Sequence, residues 1–245
     1  MIKTILFDLD DTLLGNSMDT FLPQYFALLQ DYATRVLKVE NFVPSVLQAT
    51  KVMAQDTDLA ATNYEIFWRA INQLLDLDFS MSEGLFDDFY LGDFNQLQGI
   101  TQTFPAAAEL IRACFRQGYQ IVIATNPMFP RLAVEARLTW AGVPTAEFSY
   151  KLVTTIENMH ATKPHQAYYR EILAKINCAP EDALMVGDDW QRDIEPAAGL
   201  GLFTYWIQLP ETTLPDATLP SAHGTLEELL ARIESGWLQQ LTVAT

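Results

Sequence analysis

Positive charge is scarce in this sequence. Its 245 residues include 15 lysines and arginines against 31 aspartates and glutamates, a formal net charge of −16. So acidic a surface repels phosphate backbones and anionic headgroups at long range, and no window is rich enough in Lys or Arg to reverse this locally. Nucleic-acid wrapping and electrostatic membrane docking are therefore not expected. Cysteine is rarer still. Cys114 and Cys178 lie far apart, outside any CxxC or Cys/His cluster, which excludes a disulfide framework or a zinc site of that type. Each falls in a segment that reads as helix or helix end, where a small buried hydrophobe fits. Long apolar runs are also missing. No stretch approaches the roughly 18 apolar residues of a membrane span, and the apolar start of the chain meets Asp8 and Asp10 before a signal-peptide core is complete. The expectation is a protein of the reducing cytoplasm, monomeric or homodimeric.

Apolar content, by contrast, is ample. With 49% hydrophobic and 19% charged residues, the chain can bury enough surface to offset the entropy of ordering, and at roughly 150 residues per domain it holds one or two domains. Residues 4–7 (TILF) are a short apolar run closed by carboxylates and predict a buried strand. Similar runs recur at Gln120–Ala124, Leu152–Thr154, Ala183–Val186 and, more weakly, Leu202–Trp206. Between them lie helical patterns at Ala106–Gln117, Pro130–Trp140, Pro164–Ile176 and Gln191–Leu200. This alternation is the pattern of βαβ units on a parallel sheet, an α/β fold.

The segment from about Ser17 to Leu97 breaks that rhythm. Leu22, Phe26, Leu29, Ala33 and Val36 follow one another at helical spacing, as do Phe67, Ile71 and Leu74, and predict amphipathic helices. We expect an all-helical insertion of about four helices, with Phe67 and Trp68 in its core. Its second half has no Lys or Arg from Ala70 to Ile111, while Asp76, Asp78, Glu83, Asp87, Asp88, Asp93 and Glu109 are acidic, a composition that suits a solvated face. Near the C-terminus, Gln208–Ala222 has a loop composition. Thr225 and Glu228 form a capping-box pattern opening a last helix, Leu226–Leu238, weakened at Gly236.

Strand ends deliver the polar residues: Asp8, Asp10, Asp11 and Thr12 after the first, Thr125 and Asn126 after QIVIA, and Gly187, Asp188 and Asp189 after ALMV, with Asp193 close behind. In a parallel sheet these ends share one side, where ligands sit. Carboxylates gathered there need a cation, and an oxygen-only shell suits Mg²⁺. Asp8 can then attack phosphorus, and Asp10, two residues on and on the same face, can donate and then take a proton. Thr125 offers a hydroxyl and nearby N–H groups, and Lys163, before Pro164, offers a positive charge near a helix N-terminus.

The order FDLDDT, IATN, a lone KP and GDDWQRD resembles the four motifs of the haloacid dehalogenase-like hydrolase superfamily, over essentially the whole chain. The resemblance implies a Rossmann-like parallel-sheet core with helices on both faces, residues 1–15 and 99–245, and an inserted all-α cap, residues 16–98. It implies that Asp8 forms an aspartyl-phosphate and that Asp10 is general acid and base. Thr125, Asn126, Lys163 and the N–H of Asp11 would bind the phosphoryl group. Mg²⁺ would be held by Asp8, the Asp10 carbonyl and Asp188, with Asp193 a ligand or just outside and Asp189 able to exchange with it. Asp11 stands where many relatives have Gly, in a turn that Asp tolerates better than most residues. His165 follows Lys163-Pro164 where an acidic residue is common, and neither it nor His160 or His223 has a spacing that needs imidazole.

The activity so implied is hydrolysis of a small phosphorylated metabolite. Relatives that break carbon–halogen bonds lack an acid at the position of Asp10, so dehalogenation is not expected, nor is phosphonate cleavage. A phosphomutase using the same intermediate and a non-catalytic metabolite-binding protein are the alternatives. Hinges of the cap are expected near Leu14–Ser17 and Gln98–Gln102.

Overall fold

The computed structural model describes residues 1–56, 58–75, 83–208, 213–216 and 218–241, the side chains of residues 83–85 excepted. Of the acidic stretch, Asp76 and Asp78 therefore lie outside the described residues.

A six-stranded sheet organises the molecule, in the order β5 (Leu152–Val153), β4 (Gln120–Ile123), β1 (Thr4–Phe7), β6 (Ala183–Gly187), β7 (Phe203–Ile207) and β8 (Ala222–Gly224). All five pairings are parallel. The chain starts at the centre with β1, builds outward through β4 and β5, and returns to add β6, β7 and β8 on the other flank, so the topological switch lies between β1 and β6. In register, Phe7 pairs with Ile123 on one side and Val186 on the other, which brings the ends of β1, β4 and β6 level.

Strand alternation divides the core into two layers. Ile5, Phe7, Ile121, Ile123, Leu184 and Val186 face one way and join α5 (Pro105–Arg116), α6 (Arg131–Trp140) and α9 (Leu226–Glu234). Leu6, Val122, Ala183 and Met185 face the other and meet Tyr168, Tyr169, Ile172 and Ile176 of α7 (Gln166–Ile176) and Ala197 of α8 (Glu195–Ala198). A strand covered on both faces is apolar along nearly its whole length, and β1 is buried throughout, with Thr4 its one polar residue. Cys114 is buried in α5, and Cys178 follows α7; both are free thiols.

Between β2 (Leu14–Gly15) and β3 (Gln102–Thr103) lie α1 (Met18–Tyr32), α2 (Phe42–Gln55), α3 (Asn63–Leu75) and α4 (Glu83–Leu91), then a 3-10 helix, Asp93–Ile100. β2 and β3 pair antiparallel, so the helical insertion leaves and rejoins the sheet through one short ribbon, where hinges were expected. The buried side of α1 is Phe21, Tyr25, Leu29 and Tyr32; of the apolar set read from the sequence, Leu29 and Ala33 are buried, Leu22 and Phe26 are partly buried against the core, and Val36 is exposed. Phe21, Tyr25 and Phe94 pack with Phe129 and Trp140 of the sheet side, which ties the insertion to the core.

Several boundaries differ from expectation. Pro164 does not open α7: His165 is the N-cap and the helix begins at Gln166. The segment expected as one helix from Gln191 is a π turn, Trp190–Ile194, followed by the single turn of α8. β8 forms at the end of a segment read as loop, and the β2–β3 ribbon was not foreseen; strands of two or three residues fall below the length at which alternation can be read. The last helix is capped as expected, Thr225 and Glu228 forming both bonds of the box. It stops at Glu234, with Gly236 at φ 81° before a short 3-10 turn.

Candidate active site

Asp8 sits one residue past β1, its N–H donating to the Val186 carbonyl at 2.9 Å. Lys163 Nζ reaches it from the segment before α7, donating to Asp8 Oδ1 at 2.7 Å and to Asp193 Oδ1 at 2.6 Å. All three side chains are buried. The Asp193 carboxylate also accepts the Asp189 N–H at 3.2 Å and lies so close under β6 that a Cβ on Gly187 would stand 2.2 Å from its Oδ2. Glycine is required there by this approach. Asp188, beyond the end of β6, accepts from Thr12 Oγ at 3.2 Å, and its own carbonyl is held by Trp206 Nε1 at 2.7 Å.

Asp8, Asp188 and Asp193 each present an oxygen within 4.8 Å of the others. One ammonium answers three carboxylates, and the electrostatics follow. Burial, opposed by Lys163 and reinforced by Asp193 and Asp188, drives Asp8 well above the ordinary carboxylate range. Burial and the Asp193 charge push Asp188 up to about 7. Burial raises Asp193 as well, against the pull of Lys163. Burial alone would lower Lys163, but Asp193 and Asp8 outweigh it and hold the ammonium well above its usual value. This surplus of negative charge on an oxygen-only donor set fits a hard divalent cation of the Mg²⁺ kind.

Asp10 and Asp11 point elsewhere. The Asp10 carboxylate accepts from Asn16 Nδ2 at 2.7 Å and forms an ion pair with Arg137 of α6. Asp11 adopts φ 55°, the conformation for which glycine was the expected residue. Its N–H donates to the Leu14 carbonyl at 2.7 Å and its carboxylate accepts from Asn16 N–H at 2.8 Å. The turn thus consumes the N–H expected to meet phosphate, and in this conformation Asp11 is a turn former rather than a phosphate donor. Thr125 is buried past β4, with its carbonyl bonded by Thr154 and Tyr168 at 2.6 and 2.8 Å. Asn126 Oδ1 accepts the Lys163 N–H at 3.1 Å. Asp189 is not part of the carboxylate trio: its side chain caps the following turn, accepting from Gln191 and Arg192 N–H at 3.0 and 2.9 Å.

The sequence profile of the haloacid dehalogenase-like hydrolases matches residues 2–201. The chain belongs to this family. Pyrophosphatase PpaX from Bacillus cereus is 25% identical over 188 residues, 77% of this chain and 75% of that protein. Among solved structures, a HAD phosphatase from Thermococcus onnurineus is 21% identical with a TM-score of 0.58, covering 96% of this chain and 98% of its own. A 2-haloacid dehalogenase from Pseudomonas syringae is 20% identical with a TM-score of 0.63, covering 97% and 100%. These two structures are similar to this chain in fold.

Within this haloacid dehalogenase-like hydrolase, sequence reasoning missed Arg137. It is fully buried, stacks over Phe129 with 4.6 Å from guanidinium to ring centroid, and donates to Asp10. A signal existed: at helical spacing, Arg137 shares the apolar face of Val134, Leu138 and Ala141, where an unpaired charge would not be kept. Trp206 gave no such signal, whereas Thr12 stands among the polar residues expected after the first strand. His160 pairs with Glu171 and His223 with Gln208, while His165, two residues after Lys163, is the N-cap of α7.

Proposed function

We propose that this chain is a Mg²⁺-dependent phosphomonoester hydrolase of the cytoplasm, acting on a small phosphorylated metabolite through an aspartyl-phosphate on Asp8. The observation that carries this reading is the convergence of Asp8, Asp188 and Asp193 around Lys163 at the sheet's switch point, where open α/β sheets bind ligands. Lys163 holds one oxygen of Asp8, leaving the other to attack phosphorus. Thr125, Asn126 and Lys163 supply donors to the transferring phosphoryl oxygens. The Mg²⁺ ligands would be the carboxylates of Asp8 and Asp188 and the Asp10 carbonyl, with Asp193 adjoining. When bound, the ion would neutralise the charge between nucleophile and phosphate.

Asp10 then serves the leaving oxygen and the hydrolytic water. Its oxygens accept from Asn16 and Arg137, and loss of one of these bonds would make the carboxylate more basic toward the proton it has to take. Asn16 directly follows the β2–β3 ribbon, and movement of a cap comprising residues 16–98 on a core of 1–15 and 99–245 would release it and close the site against water.

The test is phosphate release from p-nitrophenyl phosphate. We expect turnover with Mg²⁺, its loss in EDTA, and a fall of about a thousandfold or more in Asp8→Asn. Undiminished release in EDTA or in Asp8→Asn contradicts the reading. Turnover without net phosphate release would instead indicate a phosphomutase.

A further inference from the structure

A cavity of about 570 Å³ lies between the helical insertion and the loops that follow β4 and β5. Aromatic and aliphatic side chains dominate its lining, among them Phe26, Phe67, Trp68, Phe86, Met128 and Ile156. Phe67 and Trp68, expected as cap core, are walls of this space. The cavity adjoins the carboxylate site through the loop after β4. Met128, in its wall, accepts a long contact from Asn126 Nδ2 at 3.5 Å, and Asn126 touches Lys163. Phe129, also in the wall, carries the Arg137 guanidinium that pairs with Asp10.

Charge in this space has one sign. Among the described lining residues there is no lysine or arginine, while Asp87 and Glu157 are acidic. Glu157 is held by the N–H of Arg131 at the start of α6, at 3.0 and 3.2 Å, so its side chain is fixed in place. A second phosphate or carboxylate on the substrate would meet these acids with no cation in the described lining to answer it, at a cost that grows as water is excluded. An uncharged apolar group would meet aromatic faces in a space of ordinary ligand-pocket size.

We propose that this cavity takes the organic part of the substrate, and that the substrate class is a monophosphate ester of a bulky, largely apolar alcohol. Pyrophosphate, named in the PpaX relative, is on this account a poor substrate here. The proposal rests on the phosphohydrolase reading and narrows it.

Two measurements test it separately from that reading. Ethyl, butyl, hexyl and octyl phosphate share a leaving-group chemistry and differ in apolar length. Their binding to Asp8→Asn is read by calorimetry with Mg²⁺, and their turnover by wild type as phosphate released. We expect affinity and kcat/KM to rise roughly threefold per methylene until the cavity is filled, with pyrophosphate below all but the shortest ester. Thr50→Trp, a half-buried position in the lining, should lower kcat/KM for the octyl ester more than for the ethyl ester. Asp87→Lys should improve pyrophosphate relative to hexyl phosphate. Binding that is flat along the series, or strongest for pyrophosphate, overturns the proposal. Rising affinity without phosphate release by wild type overturns the hydrolase reading instead, and supports the cavity as the site for an apolar group.

Discussion

Asp188 shows how far a residue's chemistry is set by its surroundings. Its folded value, about 7, stands above the 3.8 of an ordinary aspartate, through burial and the neighbouring Asp193. Between those limits the folded protein holds a proton that the unfolded chain has released, so stability without metal falls as pH rises through that window. A divalent cation removes the repulsion and must displace the proton. Mg²⁺ should therefore raise Tm more at about pH 8 than at about pH 5.5; an equal rise at both, by scanning fluorimetry, contradicts this account of the site. Arg137 carries a second prediction. Arg137→Met leaves the Asp10 carboxylate short of its cation in a site only 16% exposed, and should destabilise the protein by about 3 kcal/mol in urea denaturation. A change within about 0.5 kcal/mol would mean the pair contributes nothing net. The positions of Asp8, Thr125 and Asp188 were legible because each follows an apolar strand, and Lys163 stood out only through its dipeptide with Pro164. Trp206, which holds the Asp188 carbonyl, was not legible, since its meaning depends on a contact between segments apart in sequence, and the pairing of Arg137 with Asp10 was hidden for the same reason although the burial of Arg137 could be read.

The strands and helices of the core were readable for a related reason: β1, β4 and β6 are covered on both faces, so after a polar first residue in β1 and β4 their sequences are apolar runs. Short elements carry no such mark. The β2–β3 ribbon is two residues a side, yet it is the sole covalent path into and out of the helical insertion. Gly15 packs so closely there that a Cβ would lie 3.0 Å from both Gln102 Cβ and the Phe104 ring. Gly15→Val should therefore distort the ribbon and lower kcat for p-nitrophenyl phosphate by at least about tenfold, with a smaller effect on Mg²⁺ affinity, because the carboxylates lie on other elements. Unchanged turnover would show that the ribbon's geometry does not matter to the site. The misplaced start of α7 has a local cause: Pro favours a first helical turn, but here Pro164 belongs to the connection that carries Lys163 under Asp8 and Asp193.

On the scale of the whole molecule, the net charge of −16 is unevenly placed. Part of it is drawn to the end of the sheet, where three carboxylates share one ammonium, and part lines or fringes the cavity under the helical insertion. The remainder is spread over exposed surface, often paired, as Asp93 is with Arg35 at 2.6 Å. Sequence alone located the first group, because strand order predicts convergence. It did not reveal the cavity, since the walls come from α1 to α4 and from the loops after β4 and β5, and each apolar residue there reads equally well as core. On the proposed reading, the apolar cavity would lie on the side of the site from which the organic part of the substrate approaches Asp8. That Asp8 is the residue phosphorylated is the centre of the account, and it can be read directly. Wild-type enzyme turning over p-nitrophenyl phosphate with Mg²⁺ is quenched in acid and its peptides are mapped by mass spectrometry. A phosphoryl adduct on Asp8, absent in Asp8→Asn and without substrate, is the predicted result; steady phosphate release with no adduct, or with the adduct on another residue, would contradict it.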